Sequence, residues 1–439
     1  MDDKNFTFEK ITSDLTSHIR LNKSFMIWMA FLGGGLLVTL YASMLQFREG
    51  LGVAGVRDYV SWGIYLANFV FFVASSLIGM LISAVIGLMG MKWINPITRI
   101  AEIIAIGFSA VAGLVIVMDM GRPERLAYVF IYGRFQSPIL WDVTVITTYF
   151  VLSFLLYFLP MIPDLSISKR LENIPSWLRK IYKVCSLNWA NKPEQNQVIH
   201  RSVRILLILL IPAALSIHTV TSWLFAVTSR AGWDSTIFGP YFVTGAFVAG
   251  CAAVIIAMFF FRNNYKLHDY LTDRHFNNMG KLLVLVSVVY LYFNFNEFLV
   301  PGYKLKRADT IHLDALLTGH HALLFWLVQI GGLVIPIILL FIRKMRKPLP
   351  LLIISIVMII AAWFKRYIIV IPTQEHPFLP VQHVPLNFKI YTPTLVEILI
   401  TLFSFFLLLT IITLLSKFFP VIPMCETAKD KGIENMKCE

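Results

Sequence analysis

Residues 240–261 have the sequence PYFVTGAFVAGCAAVIIAMFFF, which contains no charged side chain. A helix of this length is about 33 Å long at 1.5 Å per residue, enough to cross the ~30 Å hydrocarbon core of a bilayer. Similar apolar runs recur along the whole chain between short polar interruptions. We therefore predict ten transmembrane helices, at residues 25–47, 58–90, 97–118, 139–162, 203–229, 240–261, 281–301, 314–342, 349–371 and 391–419.

The overall composition also indicates a membrane protein. Of the 439 residues, 57% are hydrophobic and 14% are charged, which excludes a typical soluble globular chain. The formal net charge of +13 is explained by position rather than by nucleic-acid binding. About 26 Lys and Arg residues fall at the termini and loops on one side of a ten-span arrangement, against about 10 on the other side. Both termini are therefore predicted to be cytoplasmic, in a bacterial or archaeal inner membrane.

The longest polar connection, residues 163–202, divides four helices before it from a similar set after it. Aromatic and glycine residues begin both the second span, at Trp62 and Gly63, and the sixth, at Gly239 and Tyr241, which suggests two related halves. The expected segments are a cytoplasmic N-terminal segment at 1–24, a first transmembrane half at 25–162, a cytoplasmic linker at 163–202, a second transmembrane half at 203–371, an outer loop with the last helix at 372–419 and a cytoplasmic tail at 420–439.

The four cysteines, Cys185, Cys251, Cys425 and Cys438, are far apart and form no CxxC or CxxCH motif. We therefore expect no iron–sulfur cluster and no c-type haem in this chain. The first apolar run is too long for a signal peptide and lacks a small-residue cleavage pattern, so it is interpreted as an uncleaved helix.

Ionisable side chains at membrane depth are costly and therefore mark candidate functional sites. The sequence places Asp119, Asp142, His218 and Arg366 on four different helices, all at the predicted outer side. Taken singly, Asp119 can pair with Arg122, Asp142 can cap a helix, His218 can be an interior hydrogen-bonded histidine and Arg366 can extend outward beside a neighbouring lysine.

Their coincidence at one depth favours a common site, and Tyr65 and Asn68 of a fifth helix lie not far below. A quinone needs proton-exchanging or hydrogen-bonding groups at its two carbonyls and apolar walls around its ring. We predict that Asp142, Asp119 and His218 are catalytic and that Arg366, Arg122, Tyr65 and Asn68 complete a quinone site. Asn294, Asn296 and Glu297 of the seventh span either form a proton path or join the second bundle internally.

Histidines His312, His320 and His321 flank the eighth span and raise a b-type cytochrome membrane anchor as an alternative. A haem needs two imidazoles from different helices, and His218 with His320 or His321 could supply them. A di-haem arrangement would need a second pair deeper in the membrane, for which the sequence offers no histidine. We therefore predict no haem and no metal in this chain. A secondary transporter is a further alternative, because paired bundles with intramembrane polar groups are transporter features.

Four motifs resemble the NrfD-like family of integral membrane subunits, which includes the polysulfide reductase membrane subunit and the large membrane subunits of alternative complex III. They are Gly121-Arg122-Pro123, Ser137-Pro138-Ile139-Leu140-Trp141-Asp142, Ser216-Ile217-His218-Thr219-Val220 and Trp363-Phe364-Lys365-Arg366-Tyr367.

The resemblance implies an all-α integral membrane fold of two four-helix bundles plus two peripheral helices. It also implies exchange of menaquinone or menaquinol at the outer side, coupled to a four-cluster ferredoxin-like iron–sulfur subunit, with a multihaem cytochrome c or a molybdopterin-type subunit as a further partner. Asp142 and Arg366 match residues of the quinol site in the alternative complex III relatives. Asp119 stands where those relatives have a histidine, and Lys365 where relatives often have an acid.

Overall fold

The computed structural model describes residues 7–19, 21–57, 59–82, 91–172, 174–228, 230–377, 383, 385 and 388–433. This part of the chain is helical and contains no strand. The helices are α1 Phe8–Thr16, α2 Lys23–Glu49, α3 Ile64–Leu81, α4 Asn95–Asp119, α5 Tyr128–Ile131, α6 Pro138–Phe158, α7 Met161–Ser168, α8 Ser176–Cys185, α9 Pro193–Ala226, α10 Phe238–Asn264, α11 Asp273–Lys304, α12 Arg307–Leu317, α13 Ala322–Trp326, α14 Ile335–Phe341, α15 Pro348–Glu375, α16 Leu395–Phe418 and α17 Met424–Asp430.

Nine segments among the described residues are long and apolar enough to cross a membrane. They include α13 and α14 as one segment, because the π-helix Leu327–Val334 joins them. The remaining predicted span, 58–90, corresponds to α3, whose apolar part is Ile64–Leu77; residues 83–90 of that prediction lie outside the described residues. The prediction of an all-α protein with about ten transmembrane helices is confirmed.

The long helices form two bundles and a peripheral pair. Helices α3, α4, α6 and α9 pack in a closed ring, and α10, α11, α13–α14 and α15 form a second one. The bundles meet where α10 lies against α3 and α9 and where α15 lies against α3, while α2 and α16 pack on each other and against α4. This is the predicted arrangement of two four-helix bundles with two peripheral helices.

Burial along the helices matches a membrane environment. Most of the apolar stretch of α4 and α10 is buried inside the protein, whereas most of that of α2, α6 and α16 is not. Side chains such as Leu37 and Val38 on α2 are about 70% exposed (71% and 68%). Apolar side chains at such density on an outer surface are stable in lipid, where backbone polar groups are satisfied within the helix.

The eighth span differs from the prediction at its start. Residues 314–342 were expected to form one helix, but α12 ends at Leu317 and a turn precedes α13. Within the π-helical segment, Gly332 packs so closely on α15 that an added Cβ would lie 2.1 Å from the Ala361 Cβ. This close approach fixes the position of α15 along the bundle axis. Lys365 and Arg366 lie about one turn after Ala361 on the same helix.

The opposite end of the molecule is held by a buried ion pair. Arg99 of α4 lies 2.6 Å from Asp164 of α7, and both side chains are 2% exposed. The Asp164 carboxylate also accepts a hydrogen bond from the backbone N–H of Met424, at 3.1 Å. The described part of the predicted tail therefore contains a packed helix, α17. The predicted linker contains α8 and the start of α9.

Candidate functional site

We call the end of the bundles where α4 ends and α6 begins the predicted outer end. All ten residues predicted from the sequence for the quinone site and the proton path are described. Most of them fall into three groups, which we name the His218 cluster (Asp142, Thr221, His218 and Arg366), the Asp119 cluster (Asp119, Tyr65, Gln46 and Glu397) and the Glu297 cluster (Glu297, Lys365, Asn294, Gln329 and Tyr241).

The His218 cluster begins with a contact between α6 and α9. Asp142 is 4% exposed, and its Oδ1 lies 2.6 Å from the Thr221 hydroxyl. It does not cap α6, because the N-cap position is Ser137. The Thr221 hydroxyl also lies 2.7 Å from the carbonyl of Ile217. The hydroxyl proton is therefore shared between two acceptors, the Asp142 carboxylate and the helix carbonyl, and the first of these bonds ties Asp142 to α9.

His218 lies less than one turn before Thr221 on the same helix and is 1% exposed. Its Nε2 has no hydrogen-bond partner among the described residues. Buried polar atoms in folded proteins are nearly always paired, because leaving one unpaired costs about 1–3 kcal/mol. His218 therefore offers a free nitrogen to a ligand at this depth.

Arg366 of α15 faces the same region from the second bundle. It is 3% exposed, its guanidinium carbon lies 4.9 Å from the centroid of the Phe242 ring, and its Nη1 is unpaired among the described residues. A Cβ added at Gly245 would lie 3.0 Å from Arg366 Nη2, so the glycine provides space for the guanidinium. Arg366 and His218 are close enough to interact electrostatically.

One expectation about Arg366 needs correction. The interpretation that it extends outward beside Lys365 is wrong, since both side chains are at least 95% buried (Lys365 4% and Arg366 3% exposed). No ion pair joins Asp142 to Arg366 in the part of the chain that the structure describes. Asp142 is hydrogen-bonded to Thr221 instead, while Arg366 interacts electrostatically with His218 of the same helix, α9.

The Asp119 cluster lies beside α2 and α16. Asp119 is the last residue of α4 and interacts electrostatically with Tyr65 and Glu397. Arg122 is exposed and makes no ion pair within the described part of the chain, so the expected pairing of Asp119 with Arg122 is not seen. Gly121 between them has φ +66°, a backbone conformation that favours glycine, and this turn directs Arg122 away from the helix.

Tyr65 and Asn68 are held by neighbouring side chains. The Tyr65 hydroxyl donates to Gln46 Oε1, and Gln46 Nε2 donates to the Met118 carbonyl at 2.6 Å. Asn68 donates to Thr401 at 2.8 Å and accepts from the Trp363 indole at 2.7 Å. These bonds join α3 to α2, α15 and α16, so both residues have a clear packing role at the bundle interface.

The Glu297 cluster occupies the interior of the second bundle. Asn294 donates to Gln329 at 2.7 Å and accepts from the Tyr241 hydroxyl at 3.3 Å. Glu297 Oε2 and Lys365 Nζ are buried without a hydrogen-bond partner among the described residues. Both line a cavity of about 30 Å³, which is room for about one water molecule.

Asn296, grouped with these residues from the sequence, is separate from them. Its side chain donates to the Tyr292 carbonyl of its own helix at 2.7 Å. It therefore faces outward and is not part of the cluster.

The histidines considered for haem have different surroundings. His321 Nε2 lies 2.7 Å from Glu375 Oε2, with both side chains buried, while His320 is exposed. His312 is buried, and its burial is the main reason that its pKa is lowered to about 4. Across the described ranges, no group of three or more His, Cys, Asp or Glu side chains is placed to hold a metal ion.

Some residues of the site were missed from the sequence. Thr221 could have been found, because residues three apart share a helix face and it follows His218 by three. Gln46 gave no signal, since its partners Tyr65 and Met118 belong to other helices. Glu375 was missed for the same reason.

A known protein family matches most of the chain. The family model "Polysulphide reductase, NrfD" matches residues 52–377, which include α3 to α15 and the whole His218 cluster. A selenate reductase subunit of Mesobacillus selenatarsenatis is 25% identical over 372 residues, covering 81% of this chain and 83% of that protein.

Two further relatives have names that mention menaquinone chemistry. The Hdr-like menaquinol oxidoreductase integral membrane subunit of Archaeoglobus fulgidus is 23% identical over 379 residues, covering 85% of this chain and 84% of that protein. The integral membrane subunit of menaquinone reductase from Nitratidesulfovibrio vulgaris is 31% identical over 141 residues, covering 31% of this chain and 33% of that protein.

Proposed function

Because the chain belongs to the NrfD polysulphide reductase family, we propose that it exchanges electrons between menaquinone and an iron–sulfur subunit within a respiratory oxidoreductase complex. The protein is a multi-pass integral membrane subunit of such a complex. Relatives that match it over most of their length are named as subunits of a selenate reductase and of a menaquinol oxidoreductase. The finer proposal concerns the substrate, its site and the partner that receives or supplies the electrons.

One observation supports the proposed site: two buried nitrogens that have no hydrogen-bond partner among the described residues, His218 Nε2 and Arg366 Nη1, belong to side chains close enough to interact electrostatically. An imidazole nitrogen can exchange a proton, whereas a guanidinium N–H donates to a carbonyl or phenolate oxygen. Phe242 supplies an aromatic wall beside Arg366. A quinone head group combines polar oxygens with a flat apolar ring and fits this set of groups.

The chemistry of quinol oxidation gives each residue a role. A quinol gives up two electrons and two protons as its hydroxyls become carbonyls. His218 accepts a proton from one hydroxyl, and Arg366 stabilises the negative charge that develops on the oxygen. Asp142, tied to the same helix turn through Thr221, takes up the proton of the second hydroxyl, and the two electrons pass to the iron–sulfur subunit. Quinone reduction uses the same groups in reverse.

The surface of the predicted outer end supports an electron partner there. The segment around α5 exposes large side chains, with Tyr132 74% and Phe135 86% exposed. Exposed aromatic side chains among arginines are typical of protein interfaces, and Arg122, Arg125 and Arg134 lie in this segment. We propose that the iron–sulfur subunit docks here, close to the His218 cluster.

A photolabelling experiment tests the proposed site. An azido-menaquinone analogue is irradiated with the purified complex, and labelled peptides are identified by mass spectrometry. Labels are expected on α6, α9 or α15 near the His218 cluster, and excess menaquinone should suppress them. Labels confined to α11 and α13–α14, around the Glu297 cluster, would contradict the proposed site.

A further inference from the structure

A large groove begins at the end of the molecule opposite the His218 cluster and extends toward the predicted outer end as far as Trp363 and Thr401. Its volume is about 1380 Å³, and it runs between the peripheral pair and the bundles, with walls from α2, α3, α4, α10, α15 and α16. Along α16 it extends from Thr401 to Lys417, a length of about 24 Å at 1.5 Å per residue. Half of a bilayer's hydrocarbon core is about 15 Å thick, so an acyl chain fits lengthwise.

Cationic groups lie at one end of the groove. Lys417 is 4% exposed, and its ammonium lies 4.8 Å from the centroid of the Phe25 ring. No carboxylate lies within ion-pair distance of it among the described residues. Lys266, at the end of α10, lines the same end and is exposed. A buried cation without an anionic partner is costly, so this end is suited to a negatively charged group.

His18 adds a hydrogen-bond acceptor at this end. It is 8% exposed, and its ring stacks on Tyr265 with 4.5 Å between the centroids. Burial lowers the pKa of His18 to about 4, so the ring is neutral near pH 7. Its Nε2 donates to the Phe419 carbonyl at 3.3 Å, which leaves Nδ1 as an acceptor, and that atom has no partner among the described residues.

The rest of the groove is apolar, with aromatic side chains such as Phe71, Phe108 and Phe405. At the deep end, Trp363 donates to Asn68, and Thr401 donates to the Glu397 carbonyl and accepts from Asn68. The polar atoms there are therefore already paired. A ligand with a second polar group at the deep end, such as a quinone head group, would have to compete with these hydrogen bonds.

We infer that this groove binds a phosphatidylglycerol molecule, with its phosphate at Lys417 and Lys266, a glycerol hydroxyl at His18 Nδ1 and its acyl chains along the aromatic wall. The polar groups lie at one end only, at membrane-surface depth, as the shape of a phospholipid requires. A transmembrane helix of a partner subunit would place apolar side chains along its whole length and leave Lys417 and His18 unpaired. The inference does not depend on the quinone site.

The test uses the intact complex purified from native membranes and a photoactivatable phosphatidylglycerol with a diazirine in one acyl chain. Irradiation should place adducts on groove residues such as Ile360, Phe405 or Leu409, and excess phosphatidylglycerol should reduce them at least tenfold. Phosphatidylcholine should not compete. Adducts spread over the outer surfaces of α2 and α6, or equal competition by both lipids, would show ordinary surface lipid and overturn the inference.

Variants provide an independent measure of the retained lipid. Lys417→Gln should lower the phosphatidylglycerol that co-purifies with the complex at least fivefold, whereas Lys344→Gln, an exposed cation at the same end, should not. Ala253→Phe fills the groove while leaving the cationic end intact. It should lower the co-purified phosphatidylglycerol by the same factor as Lys417→Gln. If Lys417→Gln fails to assemble, Ala253→Phe alone tests whether the groove binds the lipid. Unchanged phosphatidylglycerol in Ala253→Phe, or a quinone or partner helix cross-linked in the groove, would contradict the inference.

Discussion

The carboxylate of Asp142 on α6 lies 2.6 Å from the hydroxyl of Thr221 on α9, less than one helical turn from His218. This contact joins two helices of the first bundle. It lies at the same depth as His218 Nε2, which has no hydrogen-bond partner among the described residues. Thr221 can satisfy Asp142 in either protonation state, because a hydroxyl both donates and accepts. The orientation of the proposed proton-exchanging carboxyl therefore depends on a residue that does not itself titrate.

Replacing Thr221 with valine should slow quinol turnover without preventing assembly. The substitution keeps the side-chain volume but removes the hydrogen bond to Asp142, a loss of about 1–1.5 kcal/mol, which corresponds to a fall in kcat/KM of roughly five- to tenfold. Thr221→Ser retains the hydroxyl and should remain within about twofold of the wild type. Equal activity in the valine and serine variants would show that this hydrogen bond has no part in turnover.

Replacing Arg366 with lysine should lower quinol turnover more than tenfold, although the charge is kept. A lysine ammonium cannot reproduce the planar contact of the guanidinium with Phe242 or its fixed pattern of N–H donors. Arg230→Gln is the matched control, because Arg230 is another arginine at the predicted outer end and donates to the Gln374 carbonyl at 3.2 Å. Normal kcat/KM in Arg366→Lys would argue against a specific role for the guanidinium.

The Arg99–Asp164 pair should matter for stability rather than turnover. Asp164→Asn leaves Arg99 buried without its anionic partner, which costs about 3–5 kcal/mol, and should clearly lower the melting temperature of the detergent-solubilised complex. Asp273→Asn breaks a pair whose aspartate side chain is 68% exposed, worth at most about 1 kcal/mol. Similar melting temperatures for the two variants would contradict the structural role of the buried pair.

The predicted topology can be tested with a native cysteine. Cys185 is a partly exposed free thiol of α8, within the predicted cytoplasmic linker, while Cys251 is buried. In a Cys425→Ser, Cys438→Ser background, a membrane-impermeant maleimide should label Cys185 in inside-out vesicles and not in intact cells. Labelling from outside intact cells would reverse the topology and place the His218 cluster on the cytoplasmic side.

The sequence predicted the helices well, because the length of an apolar run and the thickness of a bilayer are the main constraints on a membrane-spanning segment. It could not predict the turn before Ala322 or the π-helical segment that follows. These depend on tertiary packing, as the close approach of Gly332 to Ala361 shows.

The candidate site was predicted from membrane depth and from the resemblance to a known family, and neither specifies which helix faces meet. Asp142 was placed near the start of its helix, where it lies in α6, but its hydrogen bond to Thr221 of α9 could not be predicted. Tyr65 and Asn68 were likewise at a suitable depth, yet both are engaged by α2, α15 and α16. Contacts between helices distant in sequence cannot be derived from one sequence without knowing how the bundles pack.

Quinol turnover by the Asp142→Asn complex tests the central claim most directly. The substitution preserves the shape of the side chain and a hydrogen bond to Thr221 but removes the ability to exchange a proton. We predict normal co-purification of the partner subunits and a loss of turnover greater than tenfold, or more than about 1.4 kcal/mol of transition-state stabilisation. Thr144→Val, an exposed position on α6 whose hydroxyl bonds only within its own helix, should behave as the wild type. An Asp142→Asn complex that assembles normally and oxidises quinol at the wild-type rate would contradict the account.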